Sequence, residues 1–299
     1  MTSYLGAAAT HLAVSTPSGD GLGASPSIFE SQGTYANYSE GTVNRSILET
    51  YMGATATSLG ATYDTVSFVN NGELRVKFPS SDPAPTFGMT YKMNPGSPGA
   101  EVWFAMDTFV EAQTDPYWLS GKLGPGVFGG TKPGGGNQTL DGGSLRAVFH
   151  TDVNGAGTGI TRVKDDSAPT LGAYFYAPEF IANSFGVTRF GQSSDTPIPN
   201  TELPIGEWYR VAIGANKGTV GNSDGFAEVW IRTASDTAPV LVFERQSFEW
   251  QAAGNPWNWN EIKFEPHHGG NQAIHTPSSD AWRRYKNFQA GTTKAQVIS

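Results

Sequence analysis

The chain of 299 residues contains no cysteine. That excludes a disulfide framework, a cysteine nucleophile and cysteine-ligated zinc or iron–sulfur centres, and it leaves the redox compartment unmarked. Charge is scarce too, at 15% of residues, and its balance is acidic, with a formal net charge of −8. A nonspecific nucleic-acid binder needs a basic surface to displace counterions from phosphate, so no nucleic-acid partner is expected. No apolar run approaches the roughly 18 residues of a membrane helix, so no membrane partner is expected either. The first basic residue is Arg45, so the N-terminus lacks the charged start of a secretory signal. Activity outside a cell would require another route, such as release on a virus particle, and a cytoplasmic location stays open. Helix formers are too few for a bundle, because Gly 37 and Pro 19 take nearly a fifth of the chain.

What is present reads as β-structure. Aromatic residues at 12% argue for a folded core rather than disorder. TVSFVN and ELRVKF flank Asn71-Gly72, a dipeptide that tolerates the positive φ of a tight hairpin turn. Further β-branched and aromatic runs lie at 101–110, 144–153, 171–180, 207–215, 226–234, 240–248, 260–266 and 282–290, and many of them alternate. Gly/Pro/Asn/Asp clusters separate them, without the amphipathic helices that a parallel sheet requires. The expected fold is all-β, an antiparallel sandwich of jelly-roll type. No repeat at a fixed period points to a propeller or solenoid.

Two segments are expected along the chain. Residues 1–61 are rich in Gly, Ala, Ser and Thr, with a short helix at Ile47–Met52, and read as an arm or attachment segment. Residues 62–299 read as the jelly-roll domain. The glycine-rich stretches at 124–143 and 154–169 exceed ordinary hairpin loops and are expected to rim a groove.

Alternation picks out candidate chemistry, because residues two apart share a face of a sheet. In SLRAVFH, Ser144, Arg146 and His150 share one face, and Leu145, Ala147 and Phe149 take the other. In AYFYA, Tyr174 and Tyr176 oppose Phe175. Such strands either line a wet groove above a core or form a solvated outer face. Lys122 follows Gly121 and ends a strand before a glycine-rich loop. The phosphate-loop pattern is excluded there, because position 116 is Pro and Leu123 stands where Ser or Thr would follow the lysine. His267-His268 are adjacent, so regular strand geometry sends them to opposite faces, which argues against a shared metal. No metal ligands and no cofactor are expected. Trp257 and Trp259 alternate and either stack on sugar rings or pack in the core, whereas Trp103, Trp208 and Trp230 read as sandwich filling. No spaced carboxylates specify a glycosidase.

LRVKFP (74–79), GKLGPGVFGG (121–130), Ser144-x-Arg146, Tyr174-x-Tyr176, GEWYRV (206–211), DGFAEVWI (224–231) and HHGGN (267–271) together resemble polysaccharide lyase family 14, the alginate and glucuronan lyases. The resemblance spans roughly residues 62–290 and leaves the N-terminal segment unmatched. It departs at Lys122-Leu123-Gly124-Pro125-Gly126, where typical members read more like KLPG, and at His267-His268, where aromatic residues are common.

The resemblance implies a groove that binds an acidic polysaccharide and cleaves it by metal-independent β-elimination. Elimination asks for a neutralised carboxylate, a base for the acidic C5–H and an acid for the departing glycosidic oxygen. Arg146 is the implied neutraliser, by bidentate binding of the carboxylate, with Ser144 as helper and His150 as a further groove residue. Lys122 serves as base if burial and a guanidinium lower its pKa, and otherwise only holds charge. Tyr174 and Tyr176 either protonate the leaving oxygen or supply the base, and the assignment stays open. The rival reading is a noncatalytic glycan-binding or structural jelly roll of a virus particle, joined to virion proteins or to further copies of itself through the N-terminal segment.

Overall fold

The computed structural model describes residues 29–30, 41–42, 56–60, 66–69, 73–80, 87–88, 90–93, 99–112, 120–131, 138–150, 169–180, 187–189, 201–268 and 279–298. In chain order the strands are β1 (Phe29–Glu30), β2 (Gly41–Thr42), β3 (Ala56–Gly60), β4 (Val66–Val69), β5 (Glu73–Phe78), β6 (Phe87–Gly88), β7 (Thr90–Met93), β8 (Glu101–Val110), β9 (Ser120–Gly130), β10 (Gly142–His150), β11 (Thr170–Tyr176), β12 (Val187–Arg189), β13 (Trp208–Asn216), β14 (Gly225–Thr233), β15 (Val240–Phe248), β16 (Trp259–Phe264), β17 (His267–His268) and β18 (Ala281–Gly291). They form two sheets. The first runs β15-β14-β13-β8-β18-β5-β4-β2, with β1 also on β18. The second runs β12-β11-β10-β9-β16-β7-β3, with β17 along β9 and β6 along β17. Every pairing is antiparallel, and the fold is the all-β sandwich of jelly-roll type that the sequence predicts.

Period-two patterning decides which way each strand faces. On β14 buried and half-buried residues alternate without a break, and β5 does the same. The inner faces meet in one core. Val76, Phe104, Met106, Val211 and Val229 enter it from the first sheet, and Val127, Leu145, Phe149, Phe175 and Phe264 from the second. Trp250, Trp257 and Trp259 belong to this core and pack edge to face, with ring centroids 5.1 and 4.8 Å apart. The tryptophans of NPWNWNE are therefore packing residues.

The first sheet is covered on its outer side as well. Trp103 and Ala105 of β8, Ala212 of β13, Val297 and Ile298 form a second apolar cluster, with Trp230 against it. This corrects the expectation that Trp103 and Trp230 fill the space between the sheets. Trp208 also stays out of the core, half-buried against Phe109 with the Lys286 ammonium 4.0 Å from its ring. Beside that cluster the Arg210 guanidinium donates to the Asp107 carboxylate and to the Val297 carbonyl, all of it buried.

Local chain signals misplace two boundaries. The stretch after Lys122 is not a loop. β9 runs through Gly124-Pro125-Gly126 to Gly130, and β10 already starts at Gly142, so residues 131–141 alone connect them. The expected strand at 171–180 ends at Tyr176, and Pro178–Phe180 form a 3-10 turn. The Asn71-Gly72 turn, the helix at Ile47–Met52 and residues 154–168 lie outside the described residues, although β4 and β5 do pair as the hairpin requires, Val66 opposite Val76. Within 1–61, the described pieces β1, β2 and β3 pair with β18, β4 and β7.

Candidate active site

The register of the second sheet brings the candidate residues together. β10 and β11 pair continuously, with Ser144 opposite Tyr176 and Arg146 opposite Tyr174. On its other side Arg146 faces Gly126 of β9, and Gly126 faces Lys263 of β16. Directly opposed residues share a face, so these side chains gather on the side of the sheet turned away from the core. Between Arg146 and Val148 the register jumps, because β9 uses four steps from Gly126 to Lys122 where β10 uses two. The bulge contains Gly124 at φ +144°, a backbone that L side chains rarely adopt. Beyond it Lys122 returns to register opposite Val148 on one side and His267 on the other.

Glu265 sits at the join between β16 and β17, beside this bulge, where its backbone N–H donates to the Gly124 carbonyl at 2.7 Å. Its carboxylate gathers three cations. Lys122 Nζ lies 2.6 Å and Lys263 Nζ 2.7 Å from Oε1, and Arg146 Nε lies 2.9 Å from Oε2. Arg146 Nη1 in turn donates to Ser144 Oγ at 2.9 Å. The guanidinium lies over the Phe128 ring at 4.4 Å and stands 5.5 and 5.7 Å from the rings of Tyr176 and Tyr174. Those two rings meet edge to face, and the Tyr174 hydroxyl donates to that of Tyr176 at 3.0 Å. Within the ion cluster the Lys122 side chain is 23% exposed, against 4% for Arg146 and 9% each for Lys263 and Glu265. Lys122 is thus the charged group of the cluster most open to an incoming molecule.

Burial and charge pull these groups in opposite directions. Burial, helped by the Arg146 guanidinium, holds the Lys122 ammonium below the usual lysine range against the pull of Glu265. Lys263 is pushed down to about 7 by burial, with Arg146 and Lys122 adding to the effect against Glu265. Burial alone would raise Glu265, but Arg146, Lys122 and Lys263 overcome it and hold the carboxyl well below the carboxylate range. His267 is driven to about 3 by burial and by the neighbouring cations, Lys122 first among them, so its imidazole is neutral at ordinary pH.

Lys122, Ser144, Arg146, Tyr174 and Tyr176 are therefore neighbours, although sequence places them on three separate strands. His150 occupies the end of β10 opposite Thr170 and Ser120, and its side chain lies outside the described residues. The expected bidentate role of Arg146 is narrowed. Nε and Nη1 already donate to Glu265 and Ser144, which leaves Nη2 as the nitrogen without an acceptor among the described residues. Sequence reasoning did not single out Glu265 or Lys263. The signal was there, since NEIKFE alternates charged Glu261, Lys263 and Glu265 with apolar Ile262 and Phe264. It did not place His267 beside Lys122, which β17 sets directly opposite it. Among the described residues no group of three or more His, Asp or Glu side chains could hold a metal ion.

The sandwich is the fold of solved alginate lyases. The alginate lyase Aly36B, in a mutant form bound to an alginate trisaccharide, superimposes with a TM-score of 0.67 at 19% identity, covering 90% of this chain and 99% of that one. The marine family 14 alginate lyase from Aplysia kurodai gives 0.62 at 16% identity over 85% and 98% of the two chains. The alginate lyase vAL-1 from a Chlorella virus gives 0.57 at 15% identity over 84% and 98%. No protein-family model and no curated protein sequence matches the chain.

Proposed function

We propose that the protein is a polysaccharide lyase that cuts a uronate-containing polymer by β-elimination, with alginate the first polymer to test. The observation that carries this reading is the meeting of Lys122, Arg146, Tyr174 and Tyr176 on one face, with the Arg146 guanidinium 5.5 and 5.7 Å from the rings of two hydrogen-bonded phenols and Lys122 joined to it through Glu265. The shared fold with alginate lyases supports it.

In this reading the uronate carboxylate meets the cation cluster, chiefly Arg146 Nη2 and Lys263, which withdraws charge and acidifies the neighbouring C5–H. Neutral Lys122 takes that proton on Nζ, and burial favours the neutral form. The C5 electron pair forms the C4–C5 double bond as the bond from C4 to the glycosidic oxygen breaks. The departing oxygen takes the phenol proton of Tyr176, and the hydrogen bond from Tyr174 stabilises the phenolate left behind. Proton return from the Lys122 ammonium to Tyr176 then restores both groups.

The experiment is ultraviolet absorbance of the conjugated double bond during incubation with alginate, polyglucuronate and hyaluronan. A signal on one polymer that disappears in Lys122→Ala supports the reading. A flat trace on all three, with the polymer still bound, favours a noncatalytic glycan binder.

A further inference from the structure

The carboxylate of Glu265 has no part in the elimination chemistry above, yet it touches every cation of the site. Its two oxygens divide the work. Oε1 accepts from Lys122 and Lys263, and Oε2 accepts from Arg146, so one buried anion fixes the separation of the three positive groups. Its place in the backbone is also fixed, at the join of β16 and β17, by the 2.7 Å bond from its own N–H to Gly124 in the bulge of β9. With its backbone bonded to the bulge and its carboxylate paired with Lys122, Glu265 links the ammonium to the bulge.

We propose that Glu265 is the positioning residue of this site, seating Lys122 and Arg146 side by side and holding the Lys122 ammonium against the pull of burial. The inference rests on the lyase reading for its catalytic consequence, though not for its electrostatic one. The groups around the Lys122 ammonium are Glu265 and Lys263 from β16 and its end, Arg146 from β10, Tyr176 and Tyr174 from β11, and His267 from β17. Arg283 of β18 reaches the Lys122 carbonyl from below. Among the described residues Glu265 is the one carboxylate of this group, and its other charged members are cations. With Lys122 neutral, as the elimination requires, Arg146 and protonated Lys263 still outweigh the single Glu265 carboxylate, so an arriving uronate carboxylate is attracted even though Glu265 is already in place. Removing the carboxylate strips Lys122 of its anionic partner among the described residues and makes its ammonium easier to deprotonate.

The test uses the full chain and three variants. In Glu265→Gln the acid limb of the kcat/KM profile, read by double-bond absorbance on the most responsive polymer, moves to lower pH by about one unit or more. The maximal rate falls at least about tenfold as Lys122 and Arg146 lose their seat. Glu265→Asp keeps the charge and shortens the reach, so it loses rate while its acid limb stays near the wild-type position. Lys263→Gln removes a competing cation and moves the limb the other way, to higher pH. NMR titration of lysine-labelled protein, with the Lys122 signal identified by its loss in Lys122→Arg, gives the same displacements with no substrate present. Superimposable titrations of wild type and a folded Glu265→Gln variant, or a rise in place of a fall, overturn the inference. If circular dichroism finds Glu265→Gln unfolded, Lys263→Gln decides, and an unmoved or lowered midpoint overturns it. A wild-type protein inactive on every uronate polymer defeats the lyase reading, while the NMR shift still tests the hold of Glu265 on Lys122.

Discussion

Arg283 Nη1 donates a 2.6 Å hydrogen bond to the carbonyl oxygen of Lys122, from one sheet to the other through the core. The guanidinium lies between the rings of Phe78 and Phe149, at 4.4 and 4.7 Å, and also reaches the His267 carbonyl. A cation in this position holds the backbones of β9 and β17 together beneath the candidate site. Arg283→Met keeps the bulk and removes the donors, leaving two buried carbonyls short of partners, which costs about 2–4 kcal/mol. Urea denaturation followed by tryptophan fluorescence checks this, and an unchanged midpoint would mean that the bond holds nothing.

Lys122→Ala separates chemistry from folding. Under the proposed mechanism, in which Lys122 is the base, the substitution lowers elimination by a factor of about 100 to 10,000. The melting temperature is expected to stay level or rise, because the substitution removes one of three cations sharing a single carboxylate. Initial rates and a thermal melt of the same preparation give both numbers.

Acid sensitivity follows from His267. Its pKa is held at about 3, against 6.5 for a free histidine, so across that interval the unfolded chain binds a proton that the folded chain does not. Stability therefore rises with pH through this window and falls as pH drops from 6.5 towards 3. Glu265 acts in the same direction further down, contributing stability above the ordinary carboxylate pKa and losing it as pH falls. With allowance for solvent screening of a half-buried ring, the His267 share between pH 6.5 and 5 is about 1 kcal/mol. Urea midpoints at those two pH values should differ in the wild type and draw closer in His267→Gln.

Two glycines make a matched control. A Cβ at Gly121 would stand 2.4 Å from the His267 carbonyl oxygen and 2.5 Å from Phe149 Cζ, so Gly121→Ala forces β9 away from β17. The expected loss is about 2–4 kcal/mol, by overpacking against backbone. Gly206 has φ +79° and open space around it, so Gly206→Ala costs only the left-handed backbone, about 1 kcal/mol. Thermal melts of the pair rank the two effects, and equal losses would contradict the close approach at Gly121.

How far the site was legible varies residue by residue. Ser144, Arg146, Tyr174 and Tyr176 emerge from alternation alone, because a strand's period of two is a property of its backbone and survives any tertiary setting. Lys122 depended on motif resemblance, since its surroundings read locally as a turn. Gly124, Pro125 and Gly126 carry every sign of a loop, but β9 is paired by β10 on one side and by β16 and β17 on the other, and those ladders keep it extended. Glu265 was hidden for a different reason. Two of its three partners lie 143 and 119 residues earlier in the chain, and the pairing of β16 and β17 with β9 brings its carboxylate to them. Arg283 was equally hidden, because WRRYK places basic residues on both faces of its strand and nothing local says which face is the core.

The bulge in β9 also decides which way Lys122 faces. Between Lys122 and Gly126 the strand holds two residues more than its partner β10, an even surplus. Even surpluses preserve parity, so Lys122 emerges on the same side as Gly126 and Phe128. A Cβ on Gly124 would meet Met106, Phe264 and Tyr285, so inside the bulge the chain turns a position that alternation assigns to the outer face towards the core. The bulge is thus the joint at which β9 takes up two extra residues and still returns Lys122 to register between Val148 and His267.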